Sequence, residues 1–172
     1  MRYRLTTLLA IIVALQALAQ SNCIYIEDFE VCPDSVVTVP VMLANADETR
    51  GFQFNITMPQ GLKVVGHRLA EYAIDYGMNL TFSKSENDDC YTAVVVPHDR
   101  TCFPPDTTAV MTLRLKASHD FKGGEISLWK ERGSTVENKT IFMSDSTTIV
   151  TVPESVLVGI PIDMQQSEDL PF

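Results

Sequence analysis

Apolar and polar residues alternate along most of this chain with a period of two, and Gly, Pro, Asn and Asp repeatedly restart the alternation. Residues 51–58 are the clearest run. Phe52, Phe54, Ile56 and Met58 fall on one side, and Gln53, Asn55 and Thr57 on the other. Successive side chains of a strand point to opposite faces, so this run predicts a strand with one buried face. Residues 78–84 repeat it, with Leu80 and Phe82 inward and Asn79, Thr81 and Ser83 outward. Residues 107–117 set Met111, Leu113 and Leu115 against Val110, Thr112, Arg114 and Lys116. In residues 125–131, Ile126 and Leu128 face inward while Ser127 and Trp129 face out. Residues 91–96 are apolar on both faces, which predicts a central strand. Shorter runs at 24–29, 36–43, 62–65, 140–143 and 147–152 complete the series, and residues 67–77 alone have room for a helical turn. About nine short strands at regular spacing predict an all-β fold, an immunoglobulin-like or jelly-roll β-sandwich. No strand–helix–strand alternation is present, which argues against a parallel nucleotide-binding sheet.

The first residues follow a different rule. Arg2 and Arg4 precede an unbroken apolar run at residues 8–15, and Ala17-Leu18-Ala19 supplies small residues for cleavage. This is the pattern of a secretory signal peptide. The run is shorter than the roughly 20 residues of a membrane span. Gln20-Ser21-Asn22 ahead of Cys23 is a poor lipoprotein site. The expected organisation is a signal peptide at 1–19, one domain at 20–153 and a loose acidic tail at 154–172. The product is expected to be secreted, periplasmic or held at the cell surface, with membrane contact only through the signal peptide during export. Loss of Arg2 and Arg4 reduces the 13 basic residues to 11 against 22 acidic ones, a formal charge of −11. Such a surface repels phosphate backbones, so nucleic acid is not an expected partner.

An oxidising compartment changes the reading of Cys23, Cys32, Cys90 and Cys102. Two disulfides are expected, with Cys23–Cys32 and Cys90–Cys102 as local loops and a cross-pairing such as Cys32–Cys102 left open; free thiols are the third option. Zinc would need CxxC-type clusters or neighbouring histidines, and neither exists. No nucleophile elbow, metal-binding helix motif or phosphate loop is present, so neither catalysis nor a cofactor is expected. The sharpest catalytic pairing, Cys102 with His98, reads more simply as a half-cystine beside a surface histidine. Glu27-Asp28 and Asp88-Asp89 are adjacent pairs, not acids facing across a cleft. The Asp88-Asp89 turn carries oxygens of the calcium-ligand type, although a solvated acidic turn explains it as well. Asn55-Ile56-Thr57, Asn79-Leu80-Thr81 and Asn138-Lys139-Thr140 are glycosylation sequons, meaningful only in a cell that uses them.

Three strand motifs, in order, resemble the cohesin family of bacterial exported binding modules. Pro33-Asp34-Ser35-Val36-Val37-Thr38-Val39-Pro40-Val41 is similar to the family's early Gly-Asp-x-Val-x-Val-Pro-Val. Gly51-Phe52-Gln53-Phe54-Asn55-Ile56 is similar to its Gly-Phe-x-Phe strand, and Val110-Met111-Thr112-Leu113-Arg114-Leu115-Lys116-Ala117 stands where a late strand should fall. The resemblance spans residues 24–152. Thr57-Met58-Pro59-Gln60-Gly61-Leu62 replaces the family's Tyr-Asp-Pro, and disulfides are not a general family feature. The resemblance implies a β-sandwich whose partner, a dockerin-like protein, docks on one sheet face.

Outward strand positions supply the candidate binding residues: Gln53, Asn55, Asn79, Thr81, Tyr91 and Trp129. Trp129 is the only tryptophan, and an outward Trp is a typical anchor for proteins or sugar rings. A polysaccharide is therefore the alternative partner, with Trp129 and Tyr91 as a stacking platform. A surface or adhesin-type subunit without a small ligand is the third reading.

Overall fold

A computed structural model describes residues 22–85 and 89–154. The expected signal peptide at 1–19, Asp88, and all of the tail but Glu154 lie outside the described residues.

Two sheets face each other. The first contains β1 (Cys23–Tyr25), β3 (Val36–Asn45), β8 (Asp106–Ala117) and β5 (Leu62–Leu69), in the order β1-β3-β8-β5. The second contains β2 (Phe29–Glu30), β11 (Ser146–Thr151), β9 (Gly124–Ser134), β4 (Gly51–Thr57), β7 (Cys90–Pro97) and β6 (Met78–Lys84), in the order β2-β11-β9-β4-β7-β6. A short β10 (Thr140–Phe142) pairs with the far end of β9. Every pairing within strands is antiparallel except β2 with β11. The fold is the all-β sandwich expected, divided among the described residues into eleven strands instead of about nine.

Alternation accounts for the core. Phe52, Phe54 and Ile56 of β4 meet Met111, Leu113 and Leu115 of β8 across the interior, all at most 3% exposed. β7 does lie between two neighbours, with Tyr91, Ala93 and Val95 inward. The stretch with room for a helical turn divides. Residues 67–69 extend β5, and α1 (Glu71–Asp75) closes one end of the sandwich. There Tyr72 stacks on the buried Phe103, with centroids 5.7 Å apart.

Three bulges break strict alternation. Val110 is the extra residue where β8 passes β3, so Val110 and Met111 are both buried. The register of β5 shifts between Val64 and Gly66. β9 takes a three-residue step, from Trp129 to Arg132, past the two-residue step from Asn55 to Gln53 of β4. Lys130 sits in that last bulge at φ 55°, a left-handed value unusual for a non-glycine residue.

The disulfide expectation is corrected: all four cysteines are free thiols. The strands themselves hold the partners apart. Cys23 is opposite Ala44 near the end of β3, whereas Cys32 accepts the Ser35 amide just before its start. That ten-residue strand puts roughly 30 Å between them. Cys90 is opposite Thr57 at the end of β4, and Cys102 precedes Phe103, which bridges Thr49 ahead of its start. Cys32 and Cys102 are likewise at opposite ends of β3, because Pro104 accepts the Asn45 amide. A disulfide needs Cα atoms within about 7 Å.

Candidate functional site: the outer face of the second sheet

Directly opposed residues on neighbouring strands share a face, so the register lays out the outer surface of β9, β4, β7 and β6 row by row. One row runs Phe142, Arg132, Gln53, Val94, Thr81. The next runs Trp129, Asn55, Thr92, Ser83. Asn79 lies opposite Val96 at the upper edge, and Thr57 opposite Ser127 at the lower. Gln53, Asn55, Asn79, Thr81 and Trp129 therefore share one face, as expected. Their strands are not neighbours, however, because β7 separates β4 from β6.

Tyr91 does not share that face. It is paired with Ile56 and Lys84 and points into the sandwich, 5% exposed, with its ring 5.5 Å from that of Phe82. The expected Trp129–Tyr91 stacking platform is corrected accordingly. Tyr91 stands an odd number of residues before Val94 and Val96, so when those face out it must face in.

Trp129 lies across the sheet. Its indole Nε1–H donates to Thr57 Oγ1 at 3.0 Å, and the Lys130 ammonium stands 4.7 Å from the ring centre. Such a cation–π contact holds the ring down and adds a positive charge beside it. Thr92 Oγ1–H donates to Asn55 Oδ1 at 3.0 Å, fixing the amide in the next column. Gly51 creates a dip above these rows. A Cβ there would stand 2.8 Å from the Val95 carbonyl oxygen, so the position has to be bare. The resulting hollow, about 270 Å³, is walled by Val94, Val96, Arg132 and Thr140.

Several members of this face were not among the sequence candidates. Phe142 is 77% exposed, the most exposed large apolar side chain of the described residues. The signal was available, since Ile141 inward forces Phe142 outward. Val94 and Val96 were legible as part of a strand apolar on both faces. Arg132 was hidden, because only the β9 bulge turns it outward.

Behind the bulge, Glu131 is inverted into the interior. Its Oε2 accepts the Ile24 amide at 2.7 Å, and its Oε1 is buried without a partner. Burial pushes the carboxyl up to about 7, aided by Asp145 and opposed by the Ile24 amide and Ser146. The Cys102–His98 pairing gains nothing from the geometry. The Cys102 thiol leans on the Arg100 carbonyl at 3.7 Å, and burial and then Glu48 push its pKa up, away from a reactive thiolate. Among the described residues no group of three His, Cys, Asp or Glu is placed to hold a metal, and no helix is long and apolar enough to cross a membrane.

No protein-family model matches the chain, and no curated protein sequence matches it. Solved structures do. The sixth cohesin of scaffoldin B from Acetivibrio cellulolyticus, solved in complex with a dockerin, superposes with a TM-score of 0.65 at 15% identity, over 77% of this chain and 99% of that one. The cohesin module of a Clostridium perfringens family 33 glycoside hydrolase gives 0.65 at 9% identity, over 78% and 98%. A non-cellulosomal cohesin from the archaeon Archaeoglobus fulgidus gives 0.58 at 12%, over 76% and 91%. This chain is a cohesin-like domain in fold.

Proposed function

We propose that this chain is an exported, non-catalytic docking module that holds a dockerin-like protein on the outer face of β9, β4, β7 and β6. One observation carries the reading. A sheet face with a pinned Trp129, an exposed Phe142 and exposed Val96 is left uncovered by the described residues, on a fold whose solved counterparts include cohesins in complex with dockerins. Apolar anchors set among ordered polar groups are what a protein interface requires at its centre. The amides of Gln53, Asn55 and Asn79 and the hydroxyl of Thr81 supply donors and acceptors between them. Export by the 1–19 segment, the domain at 20–153 and the tail at 154–172 belong to the same proposal, which places the module outside the cytoplasm.

A polysaccharide reading loses its main support, because Trp129 and Tyr91 lie on opposite sides of the sheet. The test is a pull-down from the producing organism's secreted fraction, with the wild-type domain and Trp129→Ala as baits. Dockerin-bearing proteins retained by the wild type and lost with the variant are the expected result. Their absence from the wild-type bait would refute the reading.

A further inference from the structure

The opposite side of the sandwich carries a different chemistry. On the outer face of the first sheet, the outward positions of β5 and of the second half of β8 include Lys63, Arg68, Arg114 and Lys116. Four of the 11 basic residues beyond the export segment are thus gathered on two strands of an acidic protein. No carboxylate occupies an outward position between them. None of the four forms an ion pair among the described residues, whose ion pairs lie at Lys84, His119 and Lys139.

Two details indicate that this arrangement serves something outside the chain. Lys63 and Lys116 are directly opposed across the strands, where like charges destabilise a sheet. Neither lysine has an ion-pair partner among the described residues, so an external anion is a natural partner for the pair. The two arginines are also pre-positioned. Arg68 Nε–H donates to Thr112 Oγ1 at 3.2 Å, leaving the end of its guanidinium free. Arg114 lies over Gly66, where a Cβ would stand 3.5 Å from its stem, so the bare glycine gives the stem a bed. Between them is a hollow of about 410 Å³, with Thr38 on its far wall. A second hollow, of about 390 Å³, is lined by Lys63, Lys116 and His119. Asp34 closes the lower end, held by His119 at 2.7 Å.

We propose that this strip is a second docking surface, which takes an extended acidic polypeptide segment. Arg114 and Lys116 are two residues apart on one strand, a spacing of roughly 7 Å. Same-side side chains of an extended peptide have that spacing too, so alternate Asp or Glu residues fall opposite successive cations. Planar guanidinium groups bind carboxylates with two parallel hydrogen bonds, which suits Arg68 and Arg114 to this task. The strip is independent of the dockerin-type face, from which the whole thickness of the sandwich separates it. A module with both faces would bridge two proteins.

Fluorescence anisotropy of a labelled peptide of alternating Glu and Thr, titrated with residues 20–172 at low salt, tests this. Saturable binding is expected, with affinity reduced about tenfold or more in Arg68→Gln/Arg114→Gln, reduced likewise in Lys63→Gln/Lys116→Gln, and unchanged in Trp129→Ala. The lysine pair guards against misfolding as an explanation, since its removal relieves a repulsion and leaves melting temperature unchanged or higher. No saturable binding, or binding indifferent to both double variants, would overturn the proposal. So would equal or tighter binding of a polyuronate or a single-stranded oligonucleotide. Loss of dockerin capture alone leaves these results untouched.

Discussion

Glu131 concentrates most of the unusual chemistry of this domain in one side chain. It is 3% exposed, with one oxygen on the Ile24 amide and the other without a partner. Its carboxyl rises from an ordinary 4.5 to about 7. A group whose folded-state pKa is raised binds its proton more tightly when folded, so this acid stabilises the fold most while protonated. Stability should therefore fall as pH climbs from about 4.5 to about 7, by on the order of 2 kcal/mol once residual solvent contact is allowed for. Glu131→Gln keeps an acceptor for the Ile24 amide and removes the titration. Urea denaturation at several pH values should give a clearly shallower decline for the variant than for the wild type. Gly51 is a second position where one atom decides the outcome. A methyl group there meets the Val95 carbonyl at 2.8 Å, and overpacking of this kind costs about 1–3 kcal/mol. Gly51→Ala should show that loss in thermal unfolding and should also fill the dip beside Val96.

At the scale of elements, the bulges separate what was legible from what was not. Period two correctly assigned Gln53, Asn55, Asn79, Thr81 and Trp129 to outward positions, because β4, β6 and the first half of β9 run without interruption. Beyond Trp129 the same rule would send Lys130 inward and Glu131 outward. The left-handed Lys130 reverses both and turns Arg132 onto the outer face. Nothing in Lys130 announces this, since a bulge at a non-glycine residue is set by tertiary pairing. Tyr91 failed for a different reason. A strand apolar on both faces gives no polar side from which to read its orientation. β10 carries the remaining apolar anchor, and Phe142→Ser should weaken partner binding severalfold in a titration while leaving the melting temperature within about 1 °C, since an exposed side chain contributes little to folding.

The whole molecule is a sandwich with two unlike outer surfaces around a core that needs no covalent staple. The even cysteine count suggested disulfides, but strand length puts the natural partners at opposite ends of the fold. All four thiols should react with a thiol reagent when the oxidatively purified domain is unfolded without reductant. Two reactive thiols or none would mean that bridges form. The acidic balance, 22 acidic against 13 basic residues, was legible from composition, whereas its uneven distribution was not, because Lys63, Arg68, Arg114 and Lys116 come together only through the β5–β8 pairing. In the proposed complex the partner covers the outer face of β9, β4, β7 and β6. Isothermal titration of a dockerin-bearing partner against Asn55→Arg checks this, because Asn55 lies at the middle of that face beside Trp129. Binding weakened by about a hundredfold or more, at unchanged melting temperature, is the predicted result. Wild-type affinity in Asn55→Arg would mean that the partner does not bind this face.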